Sequence, residues 1–87
     1  MEQKKYKLTK ETMCFDDITL HRIQALKDFG DVTAGEHGGW VESERNLSQE
    51  GNCWINMEAK AYGGAEICDN AVLTHEAIVC GNSTIGN

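Results

Sequence analysis

The residues that could do acid–base or metal chemistry in this 87-residue chain are few and widely separated. The histidines and cysteines are His21, His37, His75, Cys14, Cys53, Cys68 and Cys80. They form no Cys-x-x-Cys pair and no Cys/His set at ligand spacing, so the sequence predicts no metal site. No Ser/His/Asp order or paired-carboxylate motif stands out. His75 is the one candidate for a general base, because a neutral imidazole accepts a proton near neutral pH.

The stretch that must position His75, from Cys53 to Asn87, repeats itself every six residues. The copies read CWINME, AKAYGG, AEICDN, AVLTHE, AIVCGN and STIGN. Position one is small, position three is apolar, and positions five and six are mostly turn-forming or polar. A period of six does not keep one face of an α-helix apolar, whereas position three can point inward from a short strand. The repeat therefore predicts a β-helix of stacked coils, with His75 at an outward-facing corner.

The repeat resembles the hexapeptide repeats of left-handed parallel β-helices, in which three hexads make one triangular coil. This resemblance implies one coil from Cys53 to Asn70 and nearly another from Ala71 to Asn87. Position-three residues eighteen apart would then stack: Ile55 on Leu73, Ala61 on Val79, and Ile67 on Ile85. Further back, Val41 and Leu47 fall at position one of two weaker hexads, VESERN and LSQEGN, which predicts an irregular first coil from about Gly39.

A second resemblance covers Lys5 to Asn87. The run DFGDVTAGEHGGWV (28–41) followed by LSQEGNCWI (47–55) is similar to the N-terminal signature of the YdcK-like family of bacterial and prophage proteins. That family couples a small β domain to a left-handed β-helix. The resemblance implies an all-β fold: a short left-handed parallel β-helix of two to three coils (39–87) behind an N-terminal β-hairpin cap and Gly-rich linker (1–38). It carries no catalytic residues over to this chain.

The N-terminal part predicts the hairpin. Met1 to Lys5 is expected to be a frayed start. Strands are expected on both sides of the Asp16-Asp17 turn; in the second, the apolar residues shift phase once, which indicates a bulge or, as the alternative, a short helix. The glycines between residues 30 and 39 match no phosphate-binding motif and predict a linker. Trp40 and Trp54 are expected to pack at the junction between cap and coils.

Charge and hydropathy limit the partners. Eight Lys and Arg against 14 Asp and Glu give a net charge of −6, which argues against binding a nucleic-acid backbone. No apolar run of membrane-spanning length and no signal peptide is present, so we expect a cytoplasmic protein of a bacterial or phage-infected cell, with no membrane partner and with free thiols. The sequence predicts no cofactor.

The exposed edge of the last coil is the expected interface. Its residues are Val79, Cys80, Asn82, Thr84, Ile85 and Asn87. Because a bare β-helix end exposes unpaired backbone groups, we expect it to be covered by another copy, as a dimer or trimer, or by a partner strand.

The function expected from these observations is a non-enzymatic protein-binding or assembly module, with a phage- or prophage-encoded inhibitor of a basic host defence protein as one form. The alternative is a hexapeptide-repeat acyltransferase-like enzyme that uses acyl-CoA. Such enzymes use a histidine on the β-helix wall as general base, at an interface between subunits of a trimer, and His75 would take that role. As a solvated corner or interface residue, His75 would instead be inert.

Overall fold

The computed structural model describes residues 4–86, which form nine β-strands and a single 3-10 turn. The strands are β1 Tyr6–Phe15, β2 Ile18–Ala25, β3 His37–Val41, β4 Trp54–Ile55, β5 Lys60–Ala61, β6 Glu66–Ile67, β7 Val72–Leu73, β8 Ile78–Val79 and β9 Thr84–Ile85; the 3-10 turn is Glu44–Asn46. No α-helix occurs among these residues, so the all-β prediction is confirmed. Accordingly, this part of the chain contains no helix long and apolar enough to cross a membrane.

Strands β1 and β2 form the predicted hairpin. The Asp16-Asp17 turn has φ of +55° and +65°, and a two-residue turn with both φ values positive matches the twist of paired strands. The register shifts between Leu8 and Thr12, so three residues of β1 lie opposite Arg22 alone. This bulge bends the hairpin, as the sequence predicted, although the extra residues lie in the first strand and not the second.

The hairpin continues into the sheets of the repeat. Strand β2 pairs antiparallel with β3, which pairs parallel with β5, giving a five-stranded sheet of order β1-β2-β3-β5-β8. The other two sheets are the parallel pairs β4-β7 and β6-β9. Because β3 contains residues on both sides of position 38, the division into a cap (1–38) and coils (39–87) stays a prediction.

The repeat region pairs at the predicted spacing. Each strand from β4 to β6 lies parallel to the strand eighteen residues later, and we call each eighteen-residue unit a coil. The paired position-three residues are Ile55 with Leu73, Ala61 with Val79, and Ile67 with Ile85. The stacking expected from the hexad pattern is therefore confirmed.

The first coil is out of phase with the sequence prediction. Val41 pairs with Ala61, and Leu47 bridges to Ile67, so both occupy position three and the assignment to position one is wrong. Leu47 and Ile55 are eight residues apart, two more than one hexad. The two additional residues lie in the turn 48–52. When the hexad frame is counted back from Cys53 without allowing for them, Val41 and Leu47 fall at position one instead of position three.

A buried lysine holds this turn. Lys5 is 1% exposed, and its Nζ donates to the carbonyl oxygens of Cys53 at 2.8 Å and Gly51 at 3.3 Å and lies 3.3 Å from the Cys53 Sγ. The expectation that Lys5 belongs to a frayed start is wrong, because these acceptors replace its hydration shell. Burial lowers the pKa of the Lys5 amine. Cys53 is fully buried, as its small-residue slot predicted, and all four cysteines are free thiols.

A buried asparagine ties the 3-10 turn to the next coil. The Asn46 side chain is fully buried; its amide donates to the carbonyls of Ala65 at 2.8 Å and Gly63 at 3.2 Å, and its oxygen accepts from the backbone of Glu42 and Ser43. Every hydrogen-bonding position of this side chain is therefore filled, which offsets the cost of burying it.

Candidate functional site

His75 lies at a corner where the chain turns between β7 and β8. Its φ is +56°, in the left-handed region, and four other corners share this backbone: φ is +74° at Gly51, +67° at Gly63, +58° at Asp69 and +76° at Gly81. Glycine adopts such a backbone without steric cost, whereas a residue with a Cβ pays roughly 1 kcal/mol. His75 thus keeps an imidazole at a corner that glycine would occupy at lower cost.

The exposed His75 ring opens onto a surface depression of about 480 Å³. Its other lining residues are Glu36, Asn56, Met57 and Glu58. Met57 and His75 are eighteen residues apart and form equivalent corners of successive coils. The Nδ1 of His75 lies 3.2 Å from the Thr74 hydroxyl, leaving Nε2 directed away from that contact. We call this depression the central site.

A second depression, of about 410 Å³, adjoins the central site through Glu36 and Asn56, which line both. It lies between the turn at Gly30-Asp31 and the corner formed by Asn52 and Asn70. Its lining combines the carboxylates of Asp31 and Glu36 and the side-chain amides of Asn52, Asn56 and Asn70 with the apolar residues Val32, Trp54 and Val72. We call it the amide site.

A third depression, of about 360 Å³, adjoins the central site on another side through Met57 and Glu58. Its charged lining residues are two cations, Arg22 and Lys60, and two carboxylates, Glu58 and Glu76. The Arg22 guanidinium lies 4.3 Å from the Trp40 ring, donates to the Gly38 carbonyl at 2.9 Å and pairs with Glu11 at 3.2 Å. The Lys60 amine lies 5.1 Å from the Phe15 ring and has no ion-pair partner within residues 4–86. We call it the basic site.

The two tryptophans have different surroundings. Trp54 is 2% exposed and meets the rings of Tyr6 at 6.5 Å and Phe29 at 5.3 Å, both edge-on. Trp40 is on β3, beneath Arg22, in a separate cluster with Leu20 and Tyr62. Trp54 thereby anchors the turn that forms one wall of the amide site. Trp40 lines the basic site beneath Arg22.

The residues expected at an interface lie in the last coil. Val79 is half-buried on β8, while Cys80, Asn82 and Thr84 are exposed. Ile85 is 36% exposed although it pairs with Ile67. Asn87 lies outside the described residues. None of the other five lines the three depressions.

The residues that the structure describes hold no cluster of three or more metal-ligating side chains, and no family model matches the chain. A comparison with curated proteins shows 40% identity over 87 aligned positions with a protein of Escherichia coli strain K12 named uncharacterized acetyltransferase YdcK. This identity confirms the predicted resemblance to the YdcK-like family over the aligned region. The alignment covers 90% of the chain and 27% of YdcK, so the chain spans about a quarter of that relative's length.

This comparison corrects the expected function. Because YdcK is named an acetyltransferase, the expectations of a non-enzymatic binding module, of a host-protein inhibitor and of no enzymatic activity are wrong, and the acyltransferase-like alternative is favoured. The sequence interpretation rejected an enzyme because so few coils offer little wall. The structure adds wall from another source, since the segment between β2 and β3 supplies Asp31 and Glu36 to the depressions.

The sequence did not indicate Asp31, Glu36, Asn56 or Lys60 as site residues. Asn56 occupies position four of its hexad and Lys60 position two of the next. Both positions flank an inward-facing position three, so the repeat could have indicated that these side chains face outward. Asp31 and Glu36 carried none, because tertiary contacts place their segment against the coil: Phe29 packs on Trp54, and β3, which follows Glu36, pairs with β5.

Proposed function

We propose that the chain contributes the acetyl-transfer site of an acetyltransferase related to YdcK, with His75 as general base. The observation that carries the proposal is His75 itself: an exposed imidazole kept on left-handed backbone in a depression between a basic and an acidic neighbour. Strained backbone is commonly retained where a side chain has a role in binding or catalysis. The name of YdcK supplies the reaction class.

The proposed architecture is a left-handed parallel β-helix. Three parallel ladders at an eighteen-residue spacing support a triangular coil, and the positive-φ corners support its tight turns. The left-handed sense comes from the hexapeptide resemblance. In this architecture His75 projects from the wall, where a long substrate can lie along successive coils.

Acetyl-CoA would serve as the acetyl donor. Its phosphates are anionic, and the basic site offers Arg22 and Lys60 beside the central site. The amide site holds the carboxylates Asp31 and Glu36 without a cation, so it repels these phosphates more strongly than the basic site does. The basic site is therefore the side of His75 that we assign to the donor.

The chemistry assigned to His75 is proton transfer. As the acceptor nitrogen or oxygen attacks the thioester carbonyl, the imidazole takes a proton from that atom. The new N–C or O–C bond forms, the C–S bond breaks, and the departing thiolate receives the proton from the imidazolium. The Thr74 hydroxyl at 3.2 Å from Nδ1 fixes the ring orientation for this exchange.

The test measures coenzyme A release by chromatography when the chain is incubated with acetyl-CoA and a panel of small amines and alcohols. Asparagine tolerates left-handed backbone, so His75→Asn removes the base with little change of fold. We expect it to lower the rate about 100-fold or more. The matched control is His37→Asn, an exposed histidine of β3 outside the three depressions, with a rate within about twofold of wild type. Equal rates for wild type and His75→Asn, or no release with any acceptor, would contradict the proposal.

Self-association and a cytoplasmic location complete the proposal. Ile78, which faces outward, is 48% exposed, and Ile85 is 36% exposed, which supports an apolar contact between copies. Light scattering at increasing concentration tests this, and a monomer throughout would contradict it. The basic protein partner stays a prediction from the charge alone.

A further inference from the structure

The amide site has a composition that the proposed acetyl transfer does not by itself require. Asn52 and Asn70 are eighteen residues apart and occupy one corner of successive coils, where the Asn52 backbone donates to the Asp69 carbonyl at 3.0 Å. Asn56 lies across the depression. Within residues 4–86, none of these three side-chain amides makes a hydrogen bond to another residue. Each therefore presents its donors and its acceptor to whatever occupies the site.

Two carboxylates face the same space. Asp31 and Glu36 line the depression, and neither pairs with a lysine or arginine in the part of the chain that the structure describes. Glu36 accepts a hydrogen bond from the Thr33 backbone at 3.1 Å through one oxygen, which leaves the other available. The uncompensated negative charge favours a cation at this position.

The wall that carries these carboxylates is fixed before any ligand binds. Phe29 and Val32 exchange backbone hydrogen bonds of 3.0 and 2.7 Å around the Gly30-Asp31 turn, and the Phe29 ring packs edge-on against Trp54 at 5.3 Å. A Cβ on Gly30 would lie 3.4 Å from the Asn52 Cβ, so the turn closely approaches the amide corner. These contacts hold the Gly30-Asp31 turn against the coil, which lowers the cost of ordering it when a ligand binds.

We propose that the amide site is the acceptor subsite and takes a hydroxylated primary amine, such as an amino sugar. The ammonium group would pair with Asp31 and Glu36, and the hydroxyls would pair with the three asparagines. A volume of about 410 Å³ lies in the usual range for small-molecule sites. This inference rests on the proposed function, because it assigns the acceptor of that reaction.

The geometry gives the acceptor a route to His75. Glu36 and Asn56 line both depressions, so an amine held by Glu36 lies at the boundary with the central site. The bound ammonium first releases one proton to solvent. The neutral amine then attacks the thioester, His75 takes its second proton and passes it to the thiolate, and the products are an acetamide, free coenzyme A and one released proton.

The experiment measures binding by NMR chemical-shift perturbation in the full chain without acetyl-CoA, so it does not depend on catalysis. The probes are glucosamine, glucose, which has the hydroxyls without the amine, and putrescine, which has amines without hydroxyls. We expect glucosamine to shift the Trp54 indole and the Asn52 and Asn70 side-chain amides at concentrations about tenfold below those needed for either other probe.

Variants locate the two interactions. Asp31→Asn and Glu36→Gln each remove one charge and keep an acceptor, and each should weaken glucosamine binding about tenfold with little effect on glucose. Asn52→Ala should weaken both sugars. Glu66→Gln, which removes an equal charge from an exposed position on β6, is the matched control and should change binding less than twofold.

The outcomes separate this inference from the proposed function. Equal binding of glucose would overturn the carboxylate contacts, equal binding of putrescine would overturn the hydroxyl contacts, and shifts outside the amide site would overturn the subsite. Glucosamine binding at the amide site in a chain that releases no coenzyme A would support the subsite and contradict the acetyl transfer. Coenzyme A release with an acceptor that does not shift the NMR signals of the amide site would support the acetyl transfer and contradict the subsite.

Discussion

The irregular junction at the N-terminal end of the coils and the regular repeat that follows differ most in burial. Ile55, Ala61 and Ile67 are fully buried at position three, Leu73 is 7% exposed, and Ile85 is 36% exposed. In the junction, Tyr6, Ile23, Val41 and Leu47 are all fully buried. Apolar burial is therefore complete in the junction and at position three of the first regular coil, and it is lower in the coil that follows.

Long-range polar contacts show the same difference. The Tyr6 hydroxyl donates to the carbonyls of Leu47 and Glu44, and the Gln49 side chain accepts from the backbone of Lys5 and Tyr6. These contacts join β1 to residues about forty positions later. Between the later coils, the described residues pair through backbone ladders, supplemented by a weak contact of the Cys68 thiol with the Ile85 carbonyl at 3.6 Å. A firmly held junction lets the repeat carry a strained corner such as His75.

Truncating one apolar residue in each region should give the largest contrast. Leu47→Ala removes a fully buried side chain and should lower the free energy of unfolding by about 3 kcal/mol, because it leaves a cavity between the first two coils. Ile85→Ala removes a position-three residue that is already 36% exposed and should cost less than about 1 kcal/mol. Urea unfolding followed by tryptophan fluorescence measures both.

The same pair tests whether the repeat depends on the junction. We expect Leu47→Ala to reduce the protection of the β4-β7 and β5-β8 amides from hydrogen exchange, and Ile85→Ala to affect the β6-β9 pair alone. Similar losses of stability from the two substitutions would show that side-chain burial in the single chain does not predict which region contributes more to the free energy of unfolding.

The contrast also explains how much the sequence could predict. The six-residue period gave the strand spacing from Ile55 onward, because each later turn has the same length. It failed at Leu47, since two inserted residues in 48–52 change the phase without changing the residue types. The separate prediction of a frayed start failed at Lys5, whose burial depends on the carbonyls of Gly51 and Cys53.

The candidate site shows the same limit. His75 was identified from residue type and hexad position, both of which are local properties. Its left-handed backbone could be suspected, because position five of neighbouring copies is often glycine. Glu36 and Asn56 line two depressions together because β3 and the Phe29–Trp54 contact bring distant segments to one wall, and no spacing in the chain encodes this.

A smaller, pH-dependent effect distinguishes the polar part of the junction. Burial, followed by the nearby Glu44 and Cys53, raises the pKa of the Tyr6 phenol. The folded chain keeps this proton while the unfolded chain loses it near about pH 10, so the associated stability is present below that pH and lost as the pH rises above it. We expect the free energy of unfolding to decrease by about 1.4 kcal/mol per pH unit above pH 10 from this group.

Tyr6→Phe should remove this slope and cost about 1 to 2 kcal/mol at neutral pH, because the carbonyls of Leu47 and Glu44 lose their donor. Lys5, whose pKa is lowered by burial, contributes the opposite slope in both proteins and cancels in the difference between them. Urea unfolding at several pH values from 8 to about 11 measures the difference. An identical slope in wild type and variant would show that Tyr6 is not the titrating group.

The smallest expected change in stability concerns the repeat, and it has the opposite sign. His75→Gly relieves the left-handed strain at φ of +56° and should raise the melting temperature by about 3 °C. The same substitution removes the proposed base and should lower coenzyme A release about 100-fold or more. Asp69→Gly is the matched control, since Asp69 has φ of +58° at another corner and lines none of the three depressions. It should raise the melting temperature similarly and leave the rate unchanged. Loss of stability in His75→Gly would instead mean that the imidazole contributes packing at this corner, and the strain would no longer point to catalysis.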